Sequence, residues 1–229
     1  MKRQITIQFK LYAVCAIGVL IFSVAYPFCV EDLDCKILIE AFVLFCAFIL
    51  MSVSNVAVAS DFSANTKQPV LTEALNRLEA MGNHKVINVI KGQNSTNQPI
   101  KVMFRNLEVM GYGTCEAVTA KTADGGLVIL ISSNYKTAPV EAIACLIAHE
   151  SVHHENTKTY EEEVKAWTTE VKTWISFTNT NPSLKVSSSK LVKRLNYLSK
   201  LYVNDGNQMT SIEGLIANNP AYSSLKRSI

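Results

Sequence analysis

The stretch His149-Glu150-Ser151-Val152-His153 sets two imidazoles at i and i+4 with a carboxylate beside the first. On a helix this spacing stacks both histidines on one face, a turn apart. Neutral imidazoles placed that way fill two corners of a tetrahedral zinc site. Glu150 then has the position of a catalytic general base working on a metal-activated water. The chain has only four histidines, and three of them fall at 149, 153 and 154.

A catalytic zinc needs a third protein ligand and one open position. Tyr160 to Trp174 supplies candidates on a second helix, where Glu163, Trp167, Glu170 and Trp174 share one stripe. Large aromatics face a core, so the two carboxylates of that stripe face inward as well. A buried carboxylate is costly unless it meets a metal or a donor. Glu163, nearest the turn, is the expected third ligand and Glu162 the alternative, while Glu161 points to water. Glu170, one turn beyond Trp167, is placed to orient a ligand histidine through its other ring nitrogen. His154 sits about 100° around the helix from the ligand face and reads as a surface or supporting residue. His84 reads as structural. Tyr135 and Tyr160 are candidates to donate a hydrogen bond to an oxyanion, with ordinary packing as the competing role.

These side chains need a buried helix to hold them. Pro139 suits a first helical turn, and residues 140–148 run into the motif without a breaker. Ala142, Cys145 and Ala148 make a narrow face of small side chains; Ile143, Leu146 and Ile147 make a broad apolar one. Asn156 is a natural stop.

With those residues in view, His149–His153 followed by Glu163-x-x-Ala166-Trp167 resembles the gluzincin metallopeptidases, in which a downstream helix brings the glutamate ligand. The short interval from His153 to Glu163 is similar to compact, minimal gluzincins rather than to the large thermolysin-type enzymes. The resemblance covers residues 126–174. It implies a zinc metalloendopeptidase with one Zn2+ per chain, held by His149, His153 and Glu163, and a peptide or protein substrate. It also implies that Leu127–Ser132, just before the metal helix, is an edge strand along the cleft. Five consecutive apolar residues there fit a buried core strand equally well. Two other readings stay open: a non-catalytic zincin-like module, and a metal-free, membrane-tethered interaction protein.

The rest of the chain reads as an α+β fold. A helix is expected over Pro69–Met81, strands over Lys85–Lys91, Ile100–Leu107, Thr114–Lys121 and Leu127–Ile131, and further helices over Ser187–Val203 and Met209–Ala217. Together these predict a small, mostly antiparallel sheet packed on the zinc-binding helices, with residues 70–229 as the domain and 61–69 as a polar linker.

Residues 1–60 are far more apolar than the remainder. Residues 11–30 carry no charge, and residues 37–59 carry only Glu40. Each run is long enough for a transmembrane helix, so a membrane hairpin over residues 1–60 and a multi-pass location in a lipid bilayer are expected. The basic start, Lys2 and Arg3, and the acidic loop near Glu31 put the domain on the cytoplasmic side. The alternative is a signal peptide cleaved after Ala57-Val58-Ala59, which would put the domain outside. Cys29 and Cys35 flank the acidic loop and admit either a disulfide or two free thiols. A net charge of +3 is too mild to argue for nucleic acid. The basic bias sits in residues 182–229, with 7 basic and 2 acidic side chains, against 11 and 13 in residues 61–181.

Overall fold

The computed structural model describes residues 60–155 and 157–227. The elements run α1 (Pro69–Ala80), α2 (His84–Lys91), β1 (Lys101–Arg105), β2 (Ala117–Lys121), β3 (Leu127–Ser132), α3 (Val140–Val152), α4 (Tyr160–Thr180), α5 (Lys190–Asn204) and α6 (Thr210–Ala217). Short 3-10 turns follow α3 (His153–Glu155) and α6 (Pro220–Tyr222).

The helix carrying the motif is the centre of the core. Every residue from Ala142 to Ala148 is buried, as expected for a helix that is apolar on all sides. It packs against α1, α4 and the sheet. Its first turn is closed by the Pro139 carbonyl, which accepts from Ala142 N at 3.0 Å. Burial of side chains such as Ile143 and Ile147 stabilises the fold by about 1.5–3 kcal/mol each. Those contacts fix the axis on which the two histidines stand.

The sheet differs from the expected antiparallel one. Its order is β1-β3-β2. β1 runs parallel to β3, with Val102 opposite Ile129, and β2 runs antiparallel, with Thr119 opposite Ile129. The sheet is therefore mixed. Apolar patterning sets which face of a strand is buried, but not the direction of its neighbour. The β2–β3 hairpin was legible from Asp124-Gly125-Gly126, where Gly125 takes φ 83. The non-local β1–β3 pairing carried no such local signal. β3 is buried along its whole length: Leu127, Ile129 and Ile131 join the main core, and Val128 and Leu130 pack with Leu107 on the other face. It is the central strand, so the edge-strand role expected for Leu127–Ser132 is corrected. The edge nearest the motif is β2.

Residues 84–91 form a helix, not the expected strand. Val86, Ile87 and Ile90 are its buried residues, a single helical face, whereas a strand would split them between two faces. Burial on that face overrides the strand preference of Val and Ile. Two glycines bracket this turn of chain: Gly82, at φ 75, ends α1, and Gly92, at φ 122, ends α2. Residues 61–69, expected as a linker, pack into the domain. Phe62 is buried, and the Asn65 side chain donates to the carbonyls of Ile90 and Ile100 at 2.8 and 2.9 Å.

The expected membrane architecture is also corrected. Among the described residues no helix is long and apolar enough to cross a membrane. The longest, α4, has 21 residues, and charges such as Glu161, Lys165 and Lys172 break any apolar run. The two expected spans, residues 11–30 and 37–59, and the Cys29–Cys35 pair lie outside the described residues.

Candidate metal centre

α3 and α4 run antiparallel, because His149 meets Glu170 while His153 meets Glu162. Glu163 lies between the two histidines. Its carboxylate oxygens are 3.8 Å from His149 Nε2 and 3.6 Å from His153 Nε2. One ligand atom from each of these three residues falls within 4.8 Å of the others. Metal–ligand bonds of about 2.0–2.1 Å in a tetrahedron separate the ligand atoms by about 3.3 Å, so the observed spacing needs only a small contraction around an ion. Glu163 Oε2 is buried and has no hydrogen-bond partner, and a buried acceptor of that kind fits a cation as its partner. Burial raises the Glu163 carboxyl above the usual carboxylate range, and the two histidines only partly counter it.

The remaining ring nitrogens are already taken. His153 Nδ1 is 2.6 Å from Glu162 Oε1, and His149 Nδ1 is 3.1 Å from Glu170 Oε2. Each carboxylate fixes the tautomer that keeps hydrogen on Nδ1 and leaves Nε2 as a free donor atom for a metal. Glu162 therefore pairs with His153 Nδ1 and stands outside the His149–His153–Glu163 group. The local chain builds that role: Thr159 caps α4 by accepting from Glu162 N at 3.2 Å, and the Glu162 carboxylate accepts from Thr157 N at 2.8 Å.

Glu170 is fully buried and is gripped by both terminal nitrogens of Arg194 from α5. Burial alone would raise its carboxyl; the charge of Arg194 and the bond to His149 outweigh that and hold it below the usual range. Arg194 Nε continues the chain to Glu116 Oε2 at 2.6 Å, and Glu116 accepts from the Tyr135 hydroxyl at 2.9 Å. The guanidinium also lies over the Trp167 ring at 5.7 Å. Burial lowers the affinity of His149 for a proton, but the hydrogen bond and charge of Glu170 win and its pKa is raised.

Glu150 is buried at the end of α3, where its Oε2 accepts from the Thr119 hydroxyl at 2.8 Å. The same hydroxyl lies 2.8 Å from the Glu150 carbonyl, so β2 steers the carboxylate and the backbone behind it. Three of the residues singled out for chemistry, His149, His153 and Glu163, thus converge, and the Glu150 charge acts on His149 and Glu163. The two tyrosines do not join them. Tyr135 donates to Glu116, and Tyr160 donates to the Glu213 carbonyl at 2.9 Å.

Tyr222 approaches this centre through Trp167. Its ring meets Trp167 edge-on at 6.4 Å, and Trp167 meets His149 at 6.4 Å. Burial, followed by the charge of Glu163, pushes its phenol up to about 12, with Glu150 adding to the shift. The C-terminal segment is tied down beside α4 by Tyr160 N, which donates to the Lys226 carbonyl at 2.8 Å. Thr119, Arg194 and Tyr222 were not picked out in the sequence. Arg194 carried a faint signal, flanking the Leu191–Leu195–Leu198 stripe within a lysine-rich helix; Tyr222 carried none.

No protein-family model matches the chain, and neither a curated protein nor a solved structure matches it.

Proposed function

We propose that this chain is a zinc-dependent metallopeptidase that hydrolyses peptide bonds, with His149, His153 and Glu163 as metal ligands and Glu150 as general base. The observation that carries the reading is the pairing of both histidine Nδ1 atoms with carboxylates, which leaves both Nε2 atoms and an unpartnered Glu163 oxygen converging on one point. Soft-neutral imidazoles with one carboxylate are a donor set suited to zinc. Zinc bound there supplies a polarised carbonyl and an acidified water.

The chain's own groups do the rest. Thr119 holds the Glu150 carboxylate, which takes a proton from the attacking water and returns it to the leaving amine. Tyr222, whose phenol is raised by burial and then by the charges of Glu163 and Glu150, supplies a phenolic donor for the developing oxyanion. β2 lies beside Glu150 at the edge of the sheet, where an extended peptide adds as a further strand through main-chain hydrogen bonds.

The test is metal content of the full chain beside its His153→Ala and Glu163→Ala variants, followed by mass-spectrometric detection of cleavage in a peptide library. We expect about one zinc per chain, lost in both variants, and cleavage abolished in Glu150→Gln with zinc retained. A folded wild-type chain that binds no zinc would refute the reading. Zinc binding without any cleavage would leave a non-catalytic metal module.

A further inference from the structure

The two histidines outside the ligand set, His84 and His154, come together at a second cavity. It has a volume of about 540 Å3 and lies between the start of α2, the end of α3 and the side of α4. Lys85, Lys165 and Lys172 also line it, the Lys172 ammonium lying 6.0 Å from the centre of the Tyr202 ring. On α4, Lys165, Thr169, Lys172 and Ser176 recur at helical spacing and form the face turned away from Glu163 and Glu170. The cavity is thus separate from the metal centre.

Its lining has one sign. Among the described residues no carboxylate contributes to it. Lys85 from α2 and Lys165 and Lys172 from α4 give the cavity a net positive field, with the His84 and His154 rings beside them as further N–H donors. The first turn of α2 opens here, and Asn83 makes no side-chain bond to cap it, so backbone N–H groups add to the same field. His154 Nδ1 is buried and has no partner. Thr169 and Ser176 donate their hydroxyls to helix carbonyls, which leaves recognition to the cations and the backbone. One wall is apolar, formed by Val86, Val89 and Val152. The size falls within the range of about 300–1,000 Å3 typical of small-molecule sites.

We propose that this cavity binds a compact polyphosphate, as free diphosphate or as the diphosphate ester of a small organic molecule. Several lysine and histidine donors around one space match the multiple anionic oxygens of such a group. The apolar wall accommodates the body of an ester. This assignment does not depend on the metal centre, and it accounts for two histidines that the zinc reading leaves over.

Isothermal titration of the full chain with inorganic pyrophosphate tests it. We expect a single saturable site, weakened about tenfold or more in the Lys165→Gln/Lys172→Gln double variant, as the loss of two charge-assisted contacts predicts. A Lys190→Gln/Lys193→Gln variant on α5 removes the same charge elsewhere and should bind as wild type does. Glu163→Gln, which cripples the metal centre, should also bind normally; this separates the cavity from pyrophosphate captured by zinc. Competition by adenosine diphosphate would identify an ester as the preferred form, and indifference to it would identify the free diphosphate. Absence of saturable binding, equal weakening in the α5 control, or loss in Glu163→Gln would overturn the proposal.

Discussion

Glu170 Oε2 lies 3.1 Å from His149 Nδ1, and the same buried carboxylate is clasped by Arg194 from α5. One side chain thus links the histidine on α3 to a helix forty-five positions further along the chain. A charge with no exposure is tolerable only while its partner remains. Replacing Arg194 by Met should destabilise the fold by about 3–5 kcal/mol, because Glu170 is left buried and uncompensated. Adding Glu170→Gln to Arg194→Met should restore much of that loss. Denaturant midpoints of the two single variants and the double variant decide this; additive losses would mean that the pair is not coupled.

The two adjacent glutamates of α4 should separate cleanly. On the proposed reading, Glu163→Ala removes a ligand and should abolish stoichiometric zinc. Glu162→Ala removes only the carboxylate that orients His153, and should keep zinc with an affinity about 10–100-fold weaker. Competition against a chromogenic chelator measures both. Equal loss in the two variants would show that Glu162 also binds the metal.

Thr119 offers a test at the base itself. Its hydroxyl reaches both the carboxylate and the carbonyl of Glu150 at 2.8 Å. Thr119→Val keeps the shape and strand preference of the side chain but releases the carboxylate. Zinc content should be unchanged while kcat falls about tenfold or more, as expected when a catalytic group loses its orientation. An unchanged kcat would place the control of Glu150 elsewhere.

Much of this centre was readable because helical periodicity is a local property. His149, His153, Glu163 and Glu170 could be put on facing stripes from spacing alone, and α3 read as buried because its residues are apolar on every side. What could not be read was set by contacts between distant segments. Nothing near Lys101–Arg105 says that β1 runs parallel to β3. Val86, Ile87 and Ile90 favour a strand by type, and only the surface they pack against makes them a helical face. Arg194 resembles its exposed lysine neighbours until Glu116 and Glu170 are brought to it. Of the two carboxylates beside the ligand position, the sequence ranked Glu163 first but gave no sign that Glu162 would turn to His153 Nδ1.

Two tyrosines make the fold sensitive to alkali. Burial, then the charge of Glu116, pushes the Tyr135 phenol up to about 12; burial, then the charge of Glu163, does the same for Tyr222, also to about 12. Both values lie above the ordinary tyrosine value of about 10. Between those two pH values the unfolded chain releases protons that the folded chain retains, so unfolding gains ground as pH rises. The stabilisation is fully present below pH of about 10 and is lost as the pH climbs towards the folded values. Denaturant midpoints measured across that window should fall more steeply for wild type than for Tyr135→Phe/Tyr222→Phe.

Tyr222 carries the last prediction. It sits on the 3-10 turn after α6, with Trp167 between its ring and His149. A phenol held in its neutral form at ordinary pH is a hydrogen-bond donor, and a donor aimed at a developing oxyanion is worth about 10²–10³ in kcat. Tyr222→Phe should therefore lower kcat by that order and leave KM and zinc stoichiometry close to wild type. Tyr135→Phe and Tyr160→Phe serve as controls, because their hydroxyls are bonded to Glu116 and to the Glu213 carbonyl. Neither control should reproduce a drop confined to kcat. A loss of zinc in Tyr222→Phe would instead show that the C-terminal turn holds the metal helices in register, and would remove the phenol from the chemistry.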